Sequence, residues 1–496
     1  MIITHEGNTI FKKFFWILVS AVWLGMVIVL FSGVFDSGHG GLLSPTDLLS
    51  DFDLDAESVW MGIYLQGSRI GYIHSELEPR PDGGYAIREF SRIAGAMMGT
   101  AQVMLINMDV IADSTLALVE FDGKVDSGPF STTFKGKVED QVLAVRVGTA
   151  GKVNEQFFPA PEPIYLSQVI KPLLQSGKLN EGDSLRLASF DPITMRMQDL
   201  IVVGGGRETR RFKGEEIPVC KLTTRLAGFE STLFVDQEGN TIQEFGPMGI
   251  MMRMEDMEDA LKIEDGSGEI DFLAIYSIKP EGTIKAPRKA SRARYRLLGY
   301  DIDKISIVSS RQVVLDRDKG IIEVSTTSRT GELRPQELEM YTRDAPFIES
   351  REPRIREAAA EAMKNGVSRV DSLSKLSEWV FKTVHKTPSA GLPSALAVLE
   401  TKRGDCNEHS MLFTALARSV GIPARLELGV VYQGGRFYYH AWPAAWVDDR
   451  WIEYEPTFGL EIADAARIAL ASGDLSSSLD LAGVIGNIKI EILEAE

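Results

Sequence analysis

Apolar residues recur at every second position in short runs from Trp60 to about Ser277, among them "WMGIYLQGSRIGYIHSELE", "TAQVMLINMDVIAD" and "ESTLFVDQEGNTIQEF". Runs of this period, broken by Gly, Asp and Asn, predict antiparallel strands with one buried face. One helix is predicted within them, Ile164 to Leu174, interrupted at Pro172 and followed by Gly177. A helix there can pack inside a curved sheet as a half-barrel, with a plain scaffold as the default. "VVGGGRET", Val202 to Thr209, lacks GxGxxG spacing and a following amphipathic helix, so it is read as a hairpin loop. Residues 281–294 are polar, basic and aperiodic, as in a linker. Strand alternation resumes to about Ser328.

From Glu352 the period becomes helical. "PRIREAAAEAMKNG" predicts a helix ending at Gly366, and "DSLSKLSEWVFKTVHK" one that starts at an Asp371 N-cap. A third begins at Cys406, and "RLELGVVYQ", "GRFYYHAWPAAWV" and "RWIEYEPTF" follow as strands. Helices followed by an antiparallel sheet make an α+β domain.

Phe14 to Phe35 contains no charged residue and would run about 33 Å as a helix, enough to cross a bilayer. Lys12 and Lys13 precede it and Asp36 follows, so the positive-inside rule places residues 1–13 in the cytoplasm and the bulk of the chain outside, periplasmic in a bacterial cell. The run is long for a cleaved signal and no small-x-small site follows it, which favours an uncleaved anchor. The expected organisation is a cytoplasmic segment 1–13, a transmembrane helix 14–35, a tether 36–55, a β-rich domain 56–280, a linker 281–294, a small β unit 295–345 and a catalytic domain 346–496. The lipid bilayer is then one partner. The formal net charge of −17 would repel phosphate backbones, so nucleic acid is not an expected partner.

The chain has two cysteines. Cys220 lies in a β run and reads as a small buried hydrophobe, without a bridge to Cys406. Cys406 falls on the first turn of a helix with Asp405 as N-cap and Glu408 in capping-box position. There the helix dipole favours thiolate, so a lowered pKa and labelling well below the pH at which a free cysteine reacts are expected. Two-residue turns at Gly434-Gly435 and Asp448-Asp449 put His440 mid-strand, opposite Thr457 and diagonal to Glu455. A thiol, an imidazole and a carboxylate are the parts of a covalent acyl-transfer site. His409, one turn beyond Cys406, allows a zinc reading with His440 as third ligand, but the set is poor and neither metal nor cofactor is expected. Trp442 and Trp451 shape the cleft or, more commonly, pack between sheet and helices.

"RGDCNEHSMLFTALARSVGIPARLELGVVY", "YYHAWPAAWV" and "RWIEYEPTFG" resemble, in order and spacing, the three signature blocks of the transglutaminase-like superfamily. The resemblance covers about Ser372 to Gly459 and extends more weakly to "IADAARIALASGDL". It implies a papain-like fold acting on a protein or peptide amide, as a cysteine peptidase, amidase or transglutaminase. By position it makes Cys406 the nucleophile, His440 the base and acid, and Glu455 the orienting carboxylate. The family places Asp before Pro-Thr, and the extra methylene of Glu455 shifts the carboxylate by about 1 Å unless the strand adjusts. Glu453, Asp448 and Asp449 are the poorer substitutes. A binding or assembly module that has lost catalysis is the alternative reading.

Overall fold

In a computed structural model, residues 42–43, 54–97, 99–165, 179–192, 195–226, 229–262, 270–299, 310–345, 347–387, 394–474 and 488–496 are described. Phe14–Phe35, the proposed membrane helix, lies outside them, and among the described residues no helix is long and apolar enough to cross a membrane.

The alternating N-terminal runs form one 15-stranded sheet. It is an antiparallel meander with a single return, where Ile250–Glu255 pairs with Glu57–Leu65, and its parallel contact is the two-residue strand Leu42–Leu43 beside Ser184–Leu185. Two-residue spacing gives the strands one buried face: Leu143, Val145 and Val147 point inward and join Leu185, Leu187, Val202 and Val235 from the other half of the sheet. Ile164 and Tyr165 bridge Ala188 on one side and Ala117 on the other, tying the two halves together and curving the sheet. These two residues are therefore extended, not the start of a helix, and the remainder of the expected helix lies outside the described residues.

Val202–Thr209 is not a hairpin loop. It runs through the middle of the strand Arg196–Phe212, with a register shift between Gly204 and Arg207. The glycines serve close approach: a Cβ on Gly204 would sit 2.1 Å from the Asn180 carbonyl oxygen, and one on Gly205 2.6 Å from that of Lys221.

The stretch read as linker becomes β1 (Arg292–Leu298) at Arg292. Its arginines alternate with buried Ala293, Tyr295 and Leu297, and Arg292 and Arg294 pair with Glu323 while Arg296 pairs with Glu491. β1 forms a four-stranded sheet with β2 (Gln312–Asp316), β3 (Ile321–Ser325) and β10 (Lys489–Ala495), in the order β2-β3-β1-β10. The strand that follows the catalytic-type domain in sequence is thus built into the small sheet that precedes it.

The remaining domain carries α1 (Pro353–Ala362), α2 (Arg369–Thr383), β4 (His385–Lys386), α3 (Ala395–Thr401), β5 (Arg403–Gly404) and α4 (Cys406–Ser419). A second four-stranded sheet follows, β6 (Ala424–Gln433), β7 (Arg436–Val447), β8 (Arg450–Glu453) and β9 (Arg467–Gly473), in the order β8-β7-β6-β9. α2 starts before the expected position because Ser368 is its N-cap, accepting from the Asp371 N–H. Leu412, Phe413 and Leu416 of α4 pack with Leu373, Leu376 and Val380 of α2 and Ile355 of α1 in one buried cluster. Both turn pairs have positive φ, Gly434 at 58° and Gly435 at 87°, Asp448 at 52° and Asp449 at 56°, as tight hairpins require.

Candidate active site

α4 begins as the capping signals predict. The Asp405 carboxylate accepts from the Asn407 N–H at 3.2 Å, and Glu408 reaches back to the Asp405 N–H at 2.8 Å. Gly404 has φ of 153°, and a Cβ there would meet the Glu408 side chain at 2.2 Å, so the chain can enter this helix only through a glycine.

The position of Cys406 follows from where β8 stops. β8 pairs with β7 from Ala444↔Glu453 to Val447↔Arg450, and after one further bond, from the Tyr454 N–H to the Pro443 carbonyl, the edge of β7 is open. The first turn of α4 occupies that edge. The Ala441 N–H donates to the Cys406 sulfur, and the Ala441 carbonyl accepts from Ser410 Oγ at 3.0 Å. Two residues one helical turn apart thereby satisfy both backbone groups of a single strand residue. That residue directly follows His440.

His440 lies in register with Gly429 of β6 and is almost fully buried. Its ring lies between Phe458, 5.0 Å between centroids, and Trp442, 5.9 Å, both nearly parallel to it. Nε2 bonds Glu455 Oε2 at 2.8 Å. Glu455 is not on a regular strand, because β8 has ended at Glu453. The chain turns back instead: Glu455 bridges Leu460, and Oε1 accepts from the N–H groups of Thr457 at 3.0 Å and Phe458 at 3.2 Å. Thr457 thus lies in this turn, not opposite His440 in the sheet. The departure from the strand accommodates the extra methylene, and the carboxylate reaches the imidazole at ordinary hydrogen-bond length.

Arg467, from β9, bonds the same Oε2, and both partners are buried. Burial alone would raise the Glu455 pKa, but the Arg467 guanidinium and then His440 outweigh it and hold the carboxyl well below the usual range. An ionised carboxylate only accepts hydrogen bonds, so Nε2 carries the proton and the lone pair of neutral His440 is on Nδ1. Arg467 is fixed in turn by Asp464, with Nη2 to Oδ2 at 2.8 Å, and Arg288 holds Asp464 at 2.7 Å. Sequence reasoning missed these residues. "IADAARIAL" contains Asp464 and Arg467, but nothing in its spacing points back to Glu455.

The substitutes for Glu455 are engaged elsewhere or remote: Glu453 accepts from Trp442 Nε1 at 2.7 Å and Arg311 at 3.0 Å, and Asp448 and Asp449 stay at the hairpin turn. Trp442 is packed beneath His440, whereas Trp451 stacks edge-on with Tyr341 and Trp446, away from the imidazole. His409 is buried, with Nδ1 2.5 Å from the Asp405 carbonyl oxygen, and among the described residues no group of three potential ligands could hold a metal ion. Cys220 and Cys406 are both free.

One expectation is overturned. The surroundings of Cys406 raise its pKa: burial acts first, the Asp405 carboxylate next, with Glu408 and Glu455 adding to it, and the Ala441 N–H opposes them. These surroundings oppose the helix dipole, so the lowered pKa expected from it is not met.

Residues 356–456 match the family model of the transglutaminase-like superfamily, so this part of the chain is a domain of that superfamily. No curated protein matches the chain. Among solved structures, a Cytophaga hutchinsonii protein named "putative cysteine protease" is 15% identical with a TM-score of 0.29, covering 42% of this chain and 90% of its own. A β-barrel-like protein of a domain of unknown function from Brucella abortus is 13% identical with a TM-score of 0.32, covering 41% of this chain and 96% of its own. Both likenesses are too distant to bear on the chemistry.

Proposed function

We propose that the transglutaminase-like domain is a thiol acyl-transfer enzyme acting on an amide or peptide bond. The observation that supports this best is the assignment of His440: Nε2–H is committed to an ionised Glu455, and the Cys406 sulfur rests on the amide of the next residue. In the proposed reaction His440 Nδ1 removes the thiol proton as the sulfur attacks the carbonyl carbon. The new C–S bond forms, the C–N bond breaks, and the imidazolium returns its proton to the departing amine. Water or a second amine then resolves the thioester, giving a peptidase or a transglutaminase.

We further propose that Phe14–Phe35 anchors the chain in the cytoplasmic membrane, with residues after 36 outside and a peptide-linked envelope substrate. Hydropathy and flanking charge support this.

The raised pKa of Cys406 favours a second reading, a transglutaminase-like domain kept as a binding or assembly module. Trapping discriminates the two. Incubation with an envelope extract, acid quench and peptide mapping should find an acyl group on Cys406 that hydroxylamine releases and that is absent from Cys406→Ser. A Cys406 that stays unmodified while the chain retains extract proteins in both forms would establish the module.

A further inference from the structure

Directly before α4, β4 and β5 form a two-stranded parallel ribbon with His385 beside Arg403 and Lys386 beside Gly404. His385, Lys386, Lys402 and Arg403 are all exposed, and among the described residues none of these side chains takes part in an ion pair. Lys375, Lys382 and Arg354 of the same domain are instead paired with Asp371, Glu378 and Glu400. Lys386 is the member aimed at the site. Gly404 beside it has no side chain to obstruct it, and its Nζ lies 4.9 Å from the centroid of the Phe458 ring, which stacks on His440 at 5.0 Å. The Phe458 ring thus touches both the ammonium and the imidazole. Glu455, the carboxylate on the far side, is already neutralised by Arg467. A chain with 70 acidic and 53 basic residues repels anions on average, and Lys386, with Arg288 at 4.7 Å from the same ring, sets positive charge against that field beside the cleft.

Resting on the acyl-transfer reading above, we infer that Lys386 is a specificity-determining residue that selects acyl donors carrying a carboxylate beside the scissile amide. The neighbouring Lys402 and Arg403 supply a supporting field. Lys386 itself takes no part in bond making.

Two alkylating agents that differ by one charge test this without knowledge of the substrate. Iodoacetate and iodoacetamide each form an S–C bond at Cys406 and release iodide, so the ratio of their rate constants reads the field at the sulfur. Rates on the full-length protein are followed by mass spectrometry of the Cys406 peptide, with Cys220 as internal reference. Lys386→Gln should lower the iodoacetate-to-iodoacetamide ratio at Cys406 by about threefold or more at low salt. Lys386→Arg should keep it, and 0.5 M salt should erase the difference, since the Debye length there falls to roughly 4 Å. An unchanged ratio in Lys386→Gln, with Cys406 labelled by both reagents, overturns this inference and leaves the acyl-transfer reading standing. Failure of both reagents to modify Cys406 even at alkaline pH, while Cys220 reacts, would sink the thiol reading itself.

Discussion

Replacing Arg467 by Met keeps much of the side-chain volume and removes the charge that holds Glu455 and Asp464 together. Both carboxylates are buried, Asp464 retains Arg288, and Glu455 is left with the His440 Nε2–H as its side-chain hydrogen-bond partner. Removing one member of a buried ion pair costs about 3–5 kcal/mol, because the remaining charge stays out of water without compensation. The arginine is fully enclosed, so solvent screening gives no reason to reduce that figure. At about 1.4 kcal/mol per factor of ten, amide exchange in β7 and β9 should accelerate by roughly a hundred- to a few thousand-fold. Hydrogen exchange read by mass spectrometry on peptides from these strands is the suitable assay, since it reports local opening in a chain of several domains. The double variant Arg467→Met/Glu455→Gln should recover part of the loss, because it leaves no unpaired carboxylate at 455. Protection within about tenfold of wild type in Arg467→Met would refute the reasoning, as would strict additivity in the double variant.

Three further outcomes are expected. The folded Glu455 pKa is depressed, so its contribution to stability is complete above the unfolded value of about 4.3 and lost as pH falls; the urea midpoints of wild type and Glu455→Gln should differ by a constant amount from pH 6 to 8 and converge in acid, while turnover at pH 7 falls by about a hundredfold or more. Burial, then Asp405, raises the Glu408 pKa well above the ordinary range, so a neutral amide mimics the protonated acid; Glu408→Gln should change stability at pH 7 by less than about 1 kcal/mol, whereas Asp405→Ala costs about 1–2 kcal/mol in the same denaturation series. Gly404→Ala drives a Cβ into Glu408 and should displace the start of α4, seen as faster amide exchange in α4 and a lowered melting temperature.

What could be read from sequence was local. The capping box of α4, the two hairpin turns and the two-residue alternation of the long sheet each depend on neighbours a few positions apart, and the structure contains all three. Glu455 was identified from its place in the third signature block, yet the predicted strand register around it fails, because its carboxylate draws in the Thr457 and Phe458 amides and bends the chain out of the sheet. The three glycines at 204–206 looked like a turn because glycine permits both a turn and a close approach, and only the neighbouring backbones distinguish the two. Arg292 and Arg294 looked like linker because their partner Glu323 is distant in sequence, and Arg467 escaped notice because its partner is a buried carboxylate on another element. The helix dipole alone predicts a low pKa for Cys406; its burial and the acidic side chains around it become visible only once the chain is folded.

The brevity of β8 has a consequence for how such a site can change. Strand ends with unmet backbone groups ordinarily invite another chain to join the sheet, and here the helix start takes that vacancy. Extending β8 over the three positions from Ala444 to Ala441 would evict the sulfur from its seat and straighten the turn that carries Glu455. The length of a short strand thus acts as a ruler for the Cys406 sulfur, and insertions or deletions near the Asp448-Asp449 hairpin should displace it.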